Sequence, residues 1–161
     1  MAEHKPYESA VNLLDRSSLL SQTDQKWTSA WRKVEQERIT TFADATDDHQ
    51  FIHVDRMRAA NETPYGTTIA HGMLLLSLIP AFSFECVPDV IGRTLSLNYG
   101  FDRVRFLAPV PEGARIRARF TLSDVQERGA NDLLCRYHIE FDIEGRETLA
   151  LAADWFQLLR F

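Results

Sequence analysis

The second half of the chain alternates apolar and polar residues with a period of two. Four segments carry the pattern, 92–105, 114–126, 133–143 and 148–161, with turn residues between them. Phe120 and Leu122, and across the turn Gly129-Ala130-Asn131-Asp132 the residues Tyr137, Ile139 and Phe141, show the alternation of a half-buried antiparallel sheet. The first half reads differently. Ile39, Phe42 and Ala43, spaced i, i+3, i+4, predict a short amphipathic helix over 35–46. Asp55 is placed to cap a second helix starting at Arg56, and the segment between the two, around Gln50-Phe51, reads as loop. Residues 61–66, with Pro64 and Gly66, form another loop. From Ile69 to Phe84 the chain is apolar on every side, which predicts a buried central helix too short for a bilayer; Pro80 predicts a kink or an early end.

Trp27 to Val34 is expected to form one strand, with Trp27, Ser29 and Trp31 on one face. Residues 1–22, whose strong apolar points are Leu13, Leu14, Leu19 and Leu20, are expected to be an arm that docks loosely. A long buried helix beside a run of antiparallel strands gives an α+β class, as one domain over 23–161. With 161 residues that domain buries about 70% of its unfolded surface, enough for a real core.

The net charge of -5 argues against a nucleic-acid role, which calls for a clustered basic face. Arg103, Arg105, Arg115, Arg117 and Arg119 are the local exception; a guanidinium fork suits a phosphate, while the plainer reading is a solvated strand face. Cys86 and Cys135 are too few and too far apart for a metal knuckle or a disulfide framework, and read as small buried hydrophobes in a reducing, cytoplasmic setting. No secretory signal pattern and no spanning run is present, so no membrane role is expected.

Candidate chemistry gathers between residues 48 and 72. Asp48, His53 and Gly72 supply a carboxylate, an imidazole and a glycine at a helix start, the parts needed to hold a water, move its proton and polarise a carbonyl through a backbone N–H. A rival reading uses Asp48, His49, His53 and His71 as metal ligands; the loop between the helices separates the histidines from a shared helix face, and no metal is expected. His71 reads as a hydrogen-bonded residue near the helix start.

Four blocks in order carry a resemblance: Phe42-Ala43-Asp44-Ala45-Thr46; Asp48-His49-Gln50-Phe51-Ile52-His53-Val54-Asp55; Thr68-Ile69-Ala70-His71-Gly72; and 98–113, from Asn98-Tyr99-Gly100 to Pro111-Glu112-Gly113. In these the chain resembles the MaoC-like dehydratases, the (R)-specific enoyl-CoA hydratases of hotdog fold, in the branch that contains nodulation protein N. The resemblance implies an antiparallel sheet wrapped around a long central helix. It also implies Asp48 and His53 as the catalytic pair, the Gly72 N–H facing the thioester oxygen, and a homodimer with the site near its interface. No cofactor is implied, because coenzyme A is part of the substrate. Many relatives carry Asn-Pro where this chain has Gln50-Phe51, and a glycine where it has Asp47, a second carboxylate beside Asp48.

The reaction so implied is reversible addition of water to a trans-2-enoyl-CoA, giving the (R)-3-hydroxyacyl-CoA. Gln50, Phe51, Met73, Arg103 and Arg105 are the expected substrate contacts: Phe51, Met73 and Leu74 are candidates to line an acyl pocket, with core packing the plainer reading of each, and Arg103 and Arg105 are candidates for the coenzyme A phosphates. An acyl-CoA thioesterase and a non-catalytic acyl-thioester-binding module remain the alternatives, since one fold hosts several chemistries.

Overall fold

A computed structural model describes residues 13–161. Residues 1–12, the first part of the expected arm, lie outside the described residues. The rest of that arm is anchored rather than loose. β1 (Leu13–Leu14) pairs in parallel with β4 (Asp89–Val90), and α1 (Arg16–Ser21) begins where Asp15 Oδ1 accepts the Ser18 N–H at 2.8 Å. Leu19 is buried in the core, and Arg16 lies over the Phe161 ring at 5.2 Å. The β1–β4 pairing, the buried Leu19 and the Arg16 contact together fasten the segment.

The expected strand 27–34 is two short strands, β2 (Lys26–Thr28) and β3 (Arg32–Lys33), both antiparallel to β6 (Arg115–Arg128). Between them the Ser29 N–H donates to the Ala118 carbonyl, and the Ser29 hydroxyl accepts the Ala118 N–H, each at 2.9 Å. A side-chain oxygen stands in for a ladder carbonyl, so the strand breaks without leaving a buried donor unpaired.

α2 (Gln36–Thr46) buries Ile39 and Ala43, as their spacing predicts. The segment expected to be loop contains a single helical turn, α3 (Phe51–Val54). Asp55 then ends α3 and caps α4 (Arg56–Glu62), its Oδ1 accepting the Arg58 N–H at 2.9 Å. The long apolar helix starts at Gly72 rather than Ile69 and is divided: α5 (Gly72–Ser77) and α6 (Ile79–Cys86) meet at Leu78. Pro80 lies in the first turn of α6, where its missing N–H costs least.

β5 (Leu95–Phe106), β6, β7 (Asp132–Ile143) and β8 (Leu151–Arg160) form the body of an antiparallel sheet of order β2-β6-β7-β8-β5, with β3 also on β6. Its inner face packs on α5 and α6. Phe120, Tyr137 and Trp155 come from three adjacent strands with ring centroids 5.6 to 6.4 Å apart, and Phe82 of α6 meets Phe141 edge-on at 5.3 Å. This is the hotdog arrangement, with two consecutive helices in place of one. β5 lies at an open edge, with register shifts after Asn98 and after Asp102, and Arg103 takes a positive φ of 51° at the second.

Candidate active site

α2 ends at Asp47, whose left-handed φ of 57° and ψ of 19° turn the chain sharply into Asp48. That backbone shape is one glycine adopts freely and aspartate tolerates. Asp48 is exposed, and its carbonyl oxygen accepts a hydrogen bond from His71 Nε2 at 3.0 Å.

The turn of α3 presents His53, which is 7% exposed. Its Nδ1 lies 2.7 Å from the Ile69 carbonyl oxygen. A carbonyl only accepts, so Nδ1 carries the proton and, in the neutral ring, Nε2 keeps the lone pair. Burial is the main force on this ring's pKa and lowers it from 6.5; the hydrogen bond to Ile69 and the Asp48 charge oppose that, His71 adds to it, and the net shift is downward. At neutral pH His53 is therefore an uncharged base with one free nitrogen.

His71, 2% exposed, stacks on His53 with ring centroids 3.7 Å apart and planes 25° from parallel, while Phe42 of α2 contacts it at 5.1 Å. Asp48, His53 and His71 each offer an atom within 4.8 Å of the others. Metal ligation fits this set poorly. The lone pairs of an imidazole lie in its ring plane, so two stacked rings cannot both aim at one ion about 2.1 Å away, and His71 Nε2 is already a donor to Asp48. The arrangement suits proton transfer. His49, from the rival metal reading, is exposed and faces Asp44 at 3.7 Å.

A second network holds the back of the site. Gln36 Nε2 donates to the His53 carbonyl at 2.7 Å, and the fully buried Thr68 hydroxyl donates to Gln36 Oε1. The Ile69 N–H donates to Ile52 O at 2.9 Å, and the Ala70 N–H to Val110 O at 2.8 Å. The segment 68–70 is thereby tied to α2, to α3 and to the loop after β5. Neither Gln36 nor Thr68 was expected from sequence; the hydroxyl at the head of the Thr68-Ile69-Ala70-His71-Gly72 block was the available signal.

His53 and Gly72 both line a cavity of about 220 Å³, otherwise walled by apolar groups that include Leu75, Phe106, Pro109 and Val110. A Cβ on Gly72 would sit 2.8 Å from two atoms of the Phe106 ring, so the wall has no room for a side chain there. Phe51 and Met73 are not among the residues lining this cavity. Phe51 lies under Arg58, whose guanidinium is 4.0 Å from its ring centre, and Met73 is 56% exposed on α5. Gln50 is exposed at the start of α3.

The arginines divide clearly. Arg103 bonds the buried carboxylate of Asp154, Arg115 meets Glu144, Arg117 meets Asp142 and Arg119 meets Glu140. Of the five, only Arg105 has no carboxylate partner among the described residues; its Nη1 donates to the adjacent Val104 carbonyl at 2.8 Å.

A family profile described as MaoC like domain matches residues 19–136. The chain belongs to the MaoC-like domain family. Among its MaoC-like relatives, nodulation protein N of Rhizobium leguminosarum bv. viciae is 48% identical over 151 residues, covering 94% of this chain and 92% of the relative. The 3-hydroxyacyl-thioester dehydratase Z of Mycobacterium tuberculosis is 43% identical over 126 residues, 78% of this chain and 82% of that one. A solved structure described as a monoamine oxidase regulatory protein from Archaeoglobus superposes with a TM-score of 0.77 at 28% identity, covering 94% of this chain and 97% of that chain. The MaoC-like profile spans Asp48, His53 and Gly72, so the residues gathered here all lie inside the matched region.

Proposed function

We propose that this MaoC-like protein is a hydro-lyase that adds water reversibly to trans-2-enoyl-CoA, giving the (R)-3-hydroxyacyl-CoA. The observation that carries the reading is the setting of His53: Nδ1–H is committed to Ile69, and the ring is buried with a nitrogen within 4.8 Å of an Asp48 carboxylate oxygen. The dehydratase name of the mycobacterial relative supports the reaction class, and the four sequence blocks support the (R) hand.

In this reading Asp48 and His53 Nε2 accept the two O–H bonds of one water. The water oxygen attacks C3 as His53 takes one of its protons, the C2–C3 π electrons move toward the thioester oxygen, and the Gly72 N–H stabilises that oxygen. The enolate then takes a proton at C2 from His53, so one O–H bond is broken and one C–O and one C–H bond are formed. The cavity beside His53 receives the start of the acyl chain. No redox or metal cofactor is needed for this step.

Arg105 is the proposed contact for a coenzyme A phosphate, because it has no carboxylate partner among the described residues and precedes Phe106 of the cavity wall in sequence. Leu95, Leu97, Tyr99 and Phe106 are exposed along the open edge of β5, and that edge is the proposed site for a second copy of the chain in a homodimer. Among the described residues no helix is long and apolar enough to cross a membrane. The unpaired thiols Cys86 and Cys135 accord with the cytoplasmic setting that belongs to this proposal.

The test follows the ultraviolet band of trans-2-enoyl-CoA esters of increasing chain length, with a thiol reagent in parallel, for wild type and Asp48→Asn. Loss of the band without free thiol, reduced about 100-fold or more by the substitution, supports hydration using Asp48. Free thiol would make the protein a thioesterase. Silence on every ester would favour an acyl-thioester-binding module.

A further inference from the structure

We propose that His71 is a positioning residue that fastens Asp48, His53 and the start of α5 into one unit. The inference rests on the hydration reading above for its kinetic consequences, but its structural core does not. His71 is the one side chain that touches the backbone of Asp48, packs on the ring of His53 and immediately precedes Gly72.

Its own hydrogen bonding is only half satisfied. Asp48 O accepts, so His71 Nε2 must be the protonated nitrogen, and the lone pair of the neutral ring falls on Nδ1. Nδ1 is buried with no hydrogen-bond partner among the described residues. A buried acceptor without a donor is unfavourable. Nor does the side chain cap α5: His71 occupies the N-cap position but makes no capping bond, where serine, aspartate or asparagine would. A residue chosen for the helix or for the core would differ; one chosen to span from Asp48 to His53 would be an imidazole.

The span has two functions. The Nε2–H bond fixes the main chain that carries the Asp48 carboxylate, and the stacked ring fixes the plane in which His53 Nε2 presents its lone pair. Placement of that kind is what a proton-transfer pair needs, since small displacements weaken transfer sharply. The titratable groups facing His53 are Asp48, from the turn after α2, and His71 itself; Gln36 and Phe42, the α2 residues that reach these two histidines, are neutral. A charge on His71 at this ring distance would oppose one on His53, so the stack adds to the downward shift of the His53 ring.

The experiment uses three variants and two readouts. His71→Phe keeps a ring on His53 and loses the donor; His71→Gln keeps an N–H near the Nε2 position and loses the ring; His71→Ala loses both. The first readout is the NMR titration of the His53 ring in the free protein, which requires no turnover. Its midpoint is expected below 6.5 in wild type, somewhat higher in His71→Phe, which keeps the covering ring but loses the His71 charge, and higher again in His71→Gln and His71→Ala, which lose both. The second is steady-state hydration: kcat falls about 100-fold in His71→Ala with KM nearly unchanged, and His71→Gln recovers about tenfold of the loss. An unmoved His53 midpoint in His71→Gln, with kcat within about twofold of wild type in all folded variants, would overturn the proposal. If His71→Ala fails to fold, the Phe and Gln variants still decide it. If wild type hydrates no enoyl thioester, the hydration reading fails while the His53 titration continues to test the positioning.

Discussion

The ring of His53 is pinned to the carbonyl of Ile69, Nδ1 to oxygen at 2.7 Å, by a residue that stands two positions before His71. One peptide group thereby sets which nitrogen of the catalytic candidate is free. In the proposed mechanism the neutral form is the base, and the ring's pKa is held below the ordinary 6.5, chiefly by burial. Turnover is therefore expected to be flat near neutrality and to fall about tenfold per pH unit on the acid side of that lowered value. A pH–rate profile for kcat/KM checks this, and an acid limb above 6.5 would contradict a buried neutral His53. The same shift affects stability with a definite sign. A group whose folded pKa is depressed favours the fold above its unfolded pKa, and that contribution is lost as pH falls from 6.5 through the folded value.

Asp47 is predicted to matter through its backbone rather than its charge. Asp47→Gly relieves a residue held at φ 57° and should leave stability within about 1 kcal/mol of wild type and turnover within about twofold. Thermal unfolding together with the enoyl assay tests this. A large loss of rate would return Asp47 to consideration as the base beside Asp48.

The four long strands β5 to β8 were legible in the sequence because each carries its own evidence: Phe120 and Leu122, or Tyr137, Ile139 and Phe141, need only the period of two to declare an inner face. Asp55 likewise announces its own cap. What was hidden depends on groups distant in sequence. The break at Ser29 exists because its hydroxyl serves Ala118, and the pairing of Arg103 with Asp154 depends on the register of β5 against β8. The turn of α3, with only four residues, is too short to show a helical period. In the site, Asp48, His53 and Gly72 stood out by type and spacing, whereas the contact of His71 with both partners is made only when the chain before α5 folds back on α3. The same holds for Gln36, which reaches the His53 carbonyl from the far end of α2.

The outer face of the sheet contains a charge cluster whose loss should be felt. Asp154 is 1% exposed and accepts from Arg103, Arg136 and His138. Burial would raise its pKa, but the bonds from Arg136, His138 and Arg103 outweigh that and hold it below 3.8. Asp154→Ala leaves two guanidinium groups facing each other without their anion. The expected cost is about 2 kcal/mol, under the range for a fully buried pair because Arg103 is largely exposed. Chemical denaturation at neutral pH measures it, and an unchanged midpoint would show that the cluster is merely solvated.

Gly72 and Phe106 should prove energetically coupled. Gly72→Ala places a methyl group 2.8 Å from the Cγ and Cδ1 of Phe106, too close for either to remain still. Overpacking of this kind costs about 1–3 kcal/mol, and the displaced ring would also reshape the cavity that Gly72 shares with His53. Phe106 is half exposed at the sheet edge, so Phe106→Ala by itself should be mild. In the double variant the clash has no second party, and the combined effect should be smaller than the sum of the two. Denaturation midpoints and kcat/KM for the four proteins of this cycle provide the check. Simple additivity in both would mean that Gly72 is glycine for its N–H environment or its backbone alone, and that Phe106 exerts no steric control over the cavity wall.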